Sequence, residues 1–204
     1  MAILILDPTL EAEFRQSRAG VGDDRLDEVW EGVSVVSPLP NDEHQDIQLN
    51  LAMSLAAVVR DSGLGRVRAG VNVSDRADGW THNYRAPDVV VYLHTNPAVN
   101  HGTFWRGGPD FAAEIVSPGE DAYAKLGFYA AVGTRELLVV HRDPWALELF
   151  VLVGGALVLA GRSELATPVV LASGATGLTF RLAAGEERPA IEVSHAASGR
   201  SWRV

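Results

Sequence analysis

The chain lacks several residue types and patterns, and each absence excludes a class of protein. Its 204 residues include no cysteine, which rules out a disulfide framework, thiol chemistry and thiolate zinc sites. No stretch reaches the roughly 18 uncharged apolar residues that a membrane helix requires. The opening MAILILDPTL has no basic flank, and its apolar region is too short for a signal peptide. We therefore expect a cytoplasmic protein with no membrane partner.

Positive charge is scarce, and lysine is almost absent. The formal net charge is -9 at pH 7, and of the 17 Lys and Arg residues only Lys125 is a lysine. This balance argues against broad attraction to nucleic acid, because phosphate binding draws on clustered Lys and Arg. It does not exclude a nucleic-acid enzyme, since an acidic metal-binding site contributes negative charge of its own.

Apolar periodicity predicts helices in the first third of the chain. Residues 9–18 have the spacing of a short first helix. A longer helix begins at Asn41 or Asp42, either of which can cap it, and ends before Gly63. Both of its faces are apolar, so we expect burial on two sides. One face carries Ile47, Leu51, Leu55 and Val58, and the other carries Leu49, Ala52, Met53 and Ala56.

Three uninterrupted apolar runs predict a covered central sheet. They are APDVVVYL, DFAAEIVSP and RELLVVH, and a helix from Asp121 to Val132 separates the last two. A hairpin is expected around Glu31-Gly32, and further hairpins follow Trp145. The predicted fold is α+β, with a restriction-endonuclease-like mixed central β-sheet flanked by helices and additional C-terminal β-hairpins. We expect one domain over residues 1–184 and a loosely attached C-terminal extension over 185–204.

Two carboxylates stand at or inside the apolar runs. Asp88 begins one strand and Glu114 lies within the next, where burying a carboxylate is costly unless it is paired, hydrogen-bonded or metal-bound. If these strands are neighbours, both side chains can bind a hard divalent cation through oxygen. Lys125 follows Glu114 on the next helix, and its ammonium can swing back toward the carboxylates.

This order of segments resembles the PD-(D/E)XK nuclease superfamily and, more narrowly, the Uma-two family of restriction-endonuclease-like bacterial proteins. The segments are EVWEGVSVVSPLPNDEHQ, YRAPDVVVY, EIVSPGEDAYAKLGFYAAVGTRELLVVHRDP and GATGLTF. The resemblance implies a phosphodiester-hydrolysing nuclease that uses Mg²⁺ or Mn²⁺, acts on nucleic acid, expected to be DNA, and forms a homodimer. It implies Asp88 and Glu114 as metal ligands, with the Ile115 carbonyl as a third.

The chain departs from the superfamily at its lysine. The usual position, two residues after the acidic ligand, holds Val116, and in the narrower family the lysine has moved to the following helix, which here carries Lys125. The resemblance thus implies that Lys125 orients the attacking water and stabilises charge on the scissile phosphate. It also implies that Glu28 is an additional acidic ligand and that His44 contacts phosphate or orients a carboxylate.

Structural alternatives remain open for these residues. Lys125 can instead be a surface lysine paired with Asp121, and Asp88 a strand-entry residue that makes backbone hydrogen bonds. Glu114 can form a buried ion pair with Arg85. Tyr129 is expected to pack in the core, although its hydroxyl can reach the cleft. The alternative function is a non-catalytic binding or scaffold protein that retains the nuclease fold.

Overall fold

The structure, a computed structural model, describes residues 3–5, 7, 9–10, 13, 17, 27–36, 40–117 and 121–204. It contains helix α1 (Asp42–Leu55), which a π-helical turn (Ala56–Arg60) continues, and helix α2 (Leu126–Ala131), which a 3₁₀ turn (Ala122–Lys125) precedes. A further 3₁₀ turn spans Trp80–His82. In chain order the strands are β1 (Ile3–Ile5), β2 (Glu28–Trp30), β3 (Val33–Val36), β4 (Gly65–Ala69), β5 (Asn72–Ser74), β6 (Tyr84–Arg85), β7 (Val89–Leu93), β8 (Val99–Asn100), β9 (Phe104–Arg106), β10 (Phe111–Ile115), β11 (Glu136–Arg142), β12 (Trp145–Val153), β13 (Ala156–Glu164), β14 (Leu171–Ala172), β15 (Leu178–Ala183), β16 (Ala190–His195) and β17 (Arg200–Arg203).

The three predicted buried strands lie side by side in the central sheet. Its order is β13-β12-β11-β10-β7-β4, with β10 and β11 parallel and the other neighbours antiparallel. The parallel pair follows from the helical crossover between β10 and β11, which returns the chain to the same end of the sheet. The prediction of a mixed central sheet is therefore confirmed.

Separate apolar clusters cover the two faces of this sheet. One joins α1 and the C-terminal strands to residues such as Val89 and Val91, and the other joins α2 to Val90 and Tyr92. Successive strand residues face opposite sides, so consecutive residues of β7 feed both clusters. A second sheet, of order β1-β3-β2-β6-β5-β9-β8, adds Val73 and other side chains to the α2 cluster.

The predicted hairpin around Glu31-Gly32 joins β2 to β3. Both turn residues have positive φ, 47° for Glu31 and 85° for Gly32. Two such residues form a type I′ turn, whose twist matches that of the flanking antiparallel strands. This hairpin places Glu28, the first residue of β2, beside the second face of the central sheet.

Helix α1 confirms the predicted cap and corrects the predicted burial. The Asn41 side chain accepts a hydrogen bond from the His44 backbone N–H, and Ile47, Leu51, Leu55 and Val58 are all buried. Leu49 and Met53, however, are 60% and 58% exposed, so burial on two sides is wrong. The central sheet lies on only one side of the helix. The predicted first helix, residues 9–18, falls largely outside the described residues.

The predicted helix after Asp121 begins as a tighter turn. Asp121 accepts a hydrogen bond from the Tyr123 backbone N–H and starts the 3₁₀ turn that carries Lys125. After α2 the chain reverses at Gly133, whose φ of 84° suits a residue without Cβ. The 3₁₀ turn and α2 together form the lid over the carboxylates described below.

The C-terminal residues are packed, so the expectation of loose attachment is wrong. Strands β14 to β17 form an antiparallel sheet, and residues Ile191 and Val193 of β16 are fully buried in the α1 cluster with Val204. Their apolar alternation was hidden by the polar residues between them. Gly154 and Gly155 form the turn between β12 and β13, one of the hairpins expected after Trp145. The helices of the described segments are too short or too polar to cross a membrane.

Candidate functional site

Asp88 directly precedes β7, and Glu114 lies in β10, the strand that pairs with β7. In the β7–β10 pair, Val90 faces Ala112 and Val89 faces Ala113, so the next step places Asp88 opposite Glu114. Directly opposed residues of an antiparallel pair share one sheet face, with Cβ atoms about 4.5–5.5 Å apart. The two strands are neighbours, which is the condition under which the sequence allowed both carboxylates to bind one cation.

Lys125 lies between two buried carboxylates. Its Nζ atom is 3.0 Å from Glu114 Oε2 and 3.2 Å from Glu28 Oε1. Lys125 and Glu114 are each 5% exposed, and Glu28 is 2% exposed. A lysine rarely occupies such a position unless it is paired. The surface pairing with Asp121, which was the structural alternative for Lys125, is therefore wrong.

Tyr129 completes the contacts of Glu114 from the next turn of the lid. Its hydroxyl donates a short hydrogen bond to Glu114 Oε1, on the carboxylate oxygen not engaged by Lys125. Burial, reinforced by the negative charges of Glu114 and Glu28, holds the pKa of the Tyr129 phenol well above its usual range. The phenol therefore remains a neutral donor at physiological pH. Tyr129 is core packing, as expected, and its hydroxyl also reaches the site.

Asp88 is held by both its side chain and its backbone. Its Oδ2 accepts a 2.7 Å hydrogen bond from the Ile115 backbone N–H, and its Oδ1 lies 3.3 Å from His44 Nε2. The Asp88 carbonyl accepts from Gln48 Nε2 at 2.8 Å and from Gly70 N at 3.1 Å. The alternative in which Asp88 makes backbone hydrogen bonds is thus present. His44 contacts a carboxylate, which is one of the two roles expected of it.

Glu28 is fixed by neighbours on two strands. Trp30 Nε1 donates to its Oε2 at 2.7 Å, and the Ala86 backbone N–H donates to its Oε1 at 3.0 Å. Glu28 and Trp30 are two residues apart on β2 and so share one face of the strand. The Arg85 guanidinium stacks 4.3 Å from the Trp30 ring. Burial lowers the pKa of Arg85, while the nearby Glu28 carboxylate opposes that shift.

The alternative in which Arg85 pairs with Glu114 does not hold among the described contacts, because Arg85 bonds to other partners. It donates to the Val29 carbonyl at 2.9 Å and to the Asn83 side chain at 3.2 Å. Its second flat face packs 4.3 Å from the Phe128 ring of α2. Arg85 therefore links the β2 hairpin to the lid, while Lys125 is the cation bound to Glu114.

A further buried carboxylate, Glu148, anchors the turn that carries Lys125. Glu148 Oε2 accepts from the Tyr123 hydroxyl at 2.8 Å and lies 3.0 Å from His141 Nε2. Arg162 donates to the other oxygen at 2.5 Å. Burial tends to raise the pKa of Glu148, but the hydrogen bonds from His141, Tyr123 and Arg162 bring it below its ordinary value. Glu148 thus remains charged and holds the lid two residues before Lys125.

The donor chemistry fits a hard divalent cation that keeps most of its water. Among the described residues, no group of three or more His, Asp or Glu side chains is arranged to enclose a metal. Mg²⁺ is commonly bound through only one or two carboxylates together with water and phosphate oxygens. Asp88 and Glu114 can supply two such carboxylates, and the Asp88 side chain is 16% exposed. Ile115 contacts Asp88 through its N–H, and its carbonyl remains the predicted third ligand.

Sequence reasoning missed two supporting residues. Gln48 was not considered, although its position one turn after His44 was an available signal. Trp30 was missed because its indole reads as core packing. Alternation along β2 offered a signal, since it places the Trp30 donor on the same face as Glu28.

Comparisons with known proteins agree with this architecture. A solved structure described as a putative nuclease belonging to DUF820, from Anabaena variabilis ATCC 29413, is 18% identical, with a TM-score of 0.54 over 65% of this chain and 75% of that chain. Such a likeness concerns the fold, and it confirms the predicted α+β nuclease-like class. No curated protein matches the chain. Residues 12–183 match the sequence model of Uma2, described as putative restriction endonuclease. The match covers most of the chain, which therefore belongs to the Uma2 family.

Proposed function

We propose that the protein is a Mg²⁺- or Mn²⁺-dependent nuclease of the PD-(D/E)XK type that hydrolyses phosphodiester bonds in DNA. The observation that carries the proposal is the buried Lys125 ammonium, 3.0 Å from Glu114 and 3.2 Å from Glu28. Glu114 lies in β10, which pairs with β7, and Asp88 directly precedes β7. An ion pair of this kind is weak evidence for stability alone, because desolvation offsets much of its attraction. A chemical task explains why the chain keeps its single lysine there.

Lys125 would act as a hydrogen-bond donor and a fixed positive charge. An ammonium has three donors and no acceptor, so it holds a water molecule through the water oxygen. That orientation leaves the oxygen near a phosphate bound at Asp88. As the new P–O bond forms and the bond to the leaving oxygen breaks, the attacking water would lose a proton to solvent and the leaving oxygen would gain one from solvent. The ammonium would stabilise the charge that builds on the phosphate oxygens. Glu28 and Glu114 hold the Lys125 ammonium in place.

Asp88 and Glu114 would bind the cation, with the Ile115 carbonyl as a further oxygen ligand. When bound, a divalent cation polarises the phosphate and lowers the pKa of its bound water. His44 would hold Asp88 in orientation through the 3.3 Å contact with Oδ1. Glu28 would act through Lys125, which it contacts directly. Tyr129 would fix the second oxygen of Glu114 as a neutral donor.

The alternative is a binding or scaffold protein that retains this fold without catalysis. A scaffold needs no convergence of lysine and carboxylates, whereas the nuclease does. The closeness of Lys125, Glu28 and Glu114 therefore favours the nuclease. The alternative predicts that changing these residues alters stability and leaves nucleic acid intact.

Calorimetric titration with Mn²⁺ tests the proposal. Wild type is compared with Asp88→Asn and Glu114→Gln, and Glu192→Gln serves as an exposed carboxylate control that pairs with Arg181. We expect wild type and the control to bind, and both site variants to lose most of the affinity while remaining folded by circular dichroism. A parallel assay follows cleavage of supercoiled and linear DNA in Mn²⁺, with Lys125→Met as the inactive variant. Equal Mn²⁺ binding by all four proteins would refute the assigned ligands.

The homodimer remains a proposal, and the position of β13 at the edge of the central sheet, among the described strands, supports it. Residues 149–161 contain no charged side chain, and β13 is an edge strand on which Val158 and Leu159 are 51% and 46% exposed. An uncharged apolar edge is a template for strand pairing. Antiparallel pairing of two β13 strands would be symmetric, as a two-fold dimer requires. Sedimentation equilibrium of wild type and Val158→Lys should show a dimer and a monomer, respectively.

A further inference from the structure

The exposed face of α1 borders a groove that the proposed site does not use. The groove, about 390 Å³ in volume, lies between α1, β4 and the C-terminal sheet. Residues from all three elements line it, among them Leu49, Met53, Arg60, Arg68, Arg200 and Trp202. We call it the α1–β4 groove. Its apolar wall includes Leu49 and Met53, which were expected to be buried but are exposed. A ligand is the natural candidate to cover these side chains.

The rim of the α1–β4 groove is positively charged in a chain whose net charge is -9. Arg60 pairs with Asp61 at 2.9 Å. Within the described part of the chain, Arg68 and Arg200 have no carboxylate partner. Arg68 donates to the Val67 carbonyl at 2.7 Å, and the Arg200 guanidinium lies 5.0 Å from the Trp202 ring. Two guanidinium groups that no acid neutralises favour an anionic occupant.

The α1–β4 groove ends beside Asp88. Ala69 and Leu49 line its wall, and their chain neighbours Gly70 and Gln48 both donate hydrogen bonds to the Asp88 carbonyl, at 3.1 and 2.8 Å. On β4, the residue directly after the groove therefore bonds to Asp88. On α1, the residue directly before the groove does so. A chain-like ligand lying in the groove would run toward the carboxylate site.

We propose that the α1–β4 groove binds the sugar-phosphate backbone of a single nucleic acid strand whose adjoining phosphate reaches Asp88. Arg68 and Arg200 contact phosphates, and an unstacked base covers Leu49 and Met53. Single-strand sites combine a positively charged groove with apolar or aromatic platforms for the bases. The inference rests on the proposed nuclease function, and it explains how an acidic protein can hold a polyanion. A second copy of this chain, whose net charge is -9, is the competing anionic occupant, and the oligomeric state of Met53→Gln distinguishes the two in the test below.

Binding is measured by fluorescence anisotropy of a labelled 12-nucleotide single-stranded DNA in Mg²⁺. All proteins carry Glu114→Gln, which the proposed function predicts to prevent cleavage. We expect Arg68→Gln and Arg200→Gln each to weaken binding about three- to tenfold. For the pair of changes, the slope of log affinity against log salt should become shallower by about 1.4. Arg106→Gln is the matched control, because Arg106 is exposed at the end of β9 and does not line the groove.

The outcomes separate failure of the groove from failure of the nuclease. The groove proposal is overturned if all arginine variants bind the DNA as tightly as the background protein, or if Arg106→Gln loses as much affinity as the groove variants. This holds even if the Mn²⁺ titration succeeds. No binding by the background protein overturns it as well. A change in oligomeric state on Met53→Gln with unchanged DNA affinity assigns the groove to a second copy and overturns the proposal. Selective loss with Arg68→Gln and Arg200→Gln supports it, even where Mn²⁺ binding or DNA cleavage fails.

Discussion

Replacing Lys125 by methionine tests the central claim about the site, because it removes the ammonium while keeping an unbranched side chain of similar length. Two carboxylates would lose their cation. Glu28 and Glu114 lie 3.2 and 3.0 Å from Nζ, and their side chains are only 2% and 7% exposed. Water therefore cannot replace the lost partner without a rearrangement of the lid.

The expected loss of stability follows from these contacts. Removing one partner of a buried ion pair costs about 3–5 kcal/mol, because the other charge is left uncompensated. Glu28 keeps its bonds from Trp30 and Ala86, and Glu114 keeps the Tyr129 hydroxyl. These remaining donors place the loss at the lower end, about 3 kcal/mol. For a chain of this size that corresponds to a fall in Tm of about 6–12 °C.

Urea unfolding followed by tryptophan fluorescence gives the free energy of unfolding of wild type and Lys125→Met. Adding Glu28→Gln and Glu114→Gln to Lys125→Met should recover most of the loss, because neutral amides need no cation. Lys125 also gives a direct signal, since it is the only lysine. Protein labelled with ¹⁵N-lysine should show one side-chain ammonium resonance that shifts on addition of Mg²⁺.

A loss of less than about 1 kcal/mol in Lys125→Met would refute this reasoning, because that is the range of a solvent-exposed ion pair. The same conclusion would follow if the triple variant were no more stable than Lys125→Met. Lys125→Arg provides a chemical control. It keeps the charge, but its planar guanidinium should not fit the same position, so DNA cleavage should still be lost.

Three further predictions concern the lid, the hairpin and the C-terminal sheet. Burial raises the pKa of Tyr129 in the folded state. The stability that the neutral phenol contributes is therefore present below about pH 10 and is lost at higher pH by about 1.4 kcal/mol per pH unit. Tyr129→Phe should remove that pH dependence of the free energy of unfolding in urea titrations. Gly32→Ala should lower the free energy of unfolding by about 1–3 kcal/mol, because the new Cβ would lie 2.5 Å from the His82 ring at a φ of +85°. Gly79→Ala is the control in thermal unfolding. Its loss should be smaller, because Gly79 has a φ of +65° but lies in open space. Truncation after Ala184 should abolish cooperative unfolding by circular dichroism, since it removes β16 from the core.

The local parts of the candidate site were predictable because an apolar run around a polar residue indicates that the residue is buried. A carboxylate inside Phe-Ala-Ala-Glu-Ile-Val must find a partner, and Glu114 finds Lys125 and Tyr129. The cap of α1 was predictable for a similar reason, since Asn41 is a strong N-cap residue directly before an apolar stripe. Each of these predictions depended on residues within about one helical turn or one strand.

Burial at longer range was not predictable from the same patterns. The second apolar face of α1 was expected to be covered, but a sequence period cannot tell whether a neighbour exists on that side. The polar composition after Gly185 suggested a loose tail, whereas β16 alternates Ile191 and Val193 into the core against β15. Short strands with exposed polar residues between them look like loops until their partners are known.

The sequence by itself determined the apolar runs, the turns, the helix cap and the presence of two carboxylates and one lysine that require partners. Those features depend on side-chain chemistry and on backbone preferences of a few residues. Only the tertiary structure decided that the β2 hairpin brings Glu28 to Lys125, that His44 reaches Asp88, and that arginines from β4 and β17 line one groove. These contacts join segments far apart in the chain. Their geometry is set by strand register and by packing around the shared core, which no local pattern encodes.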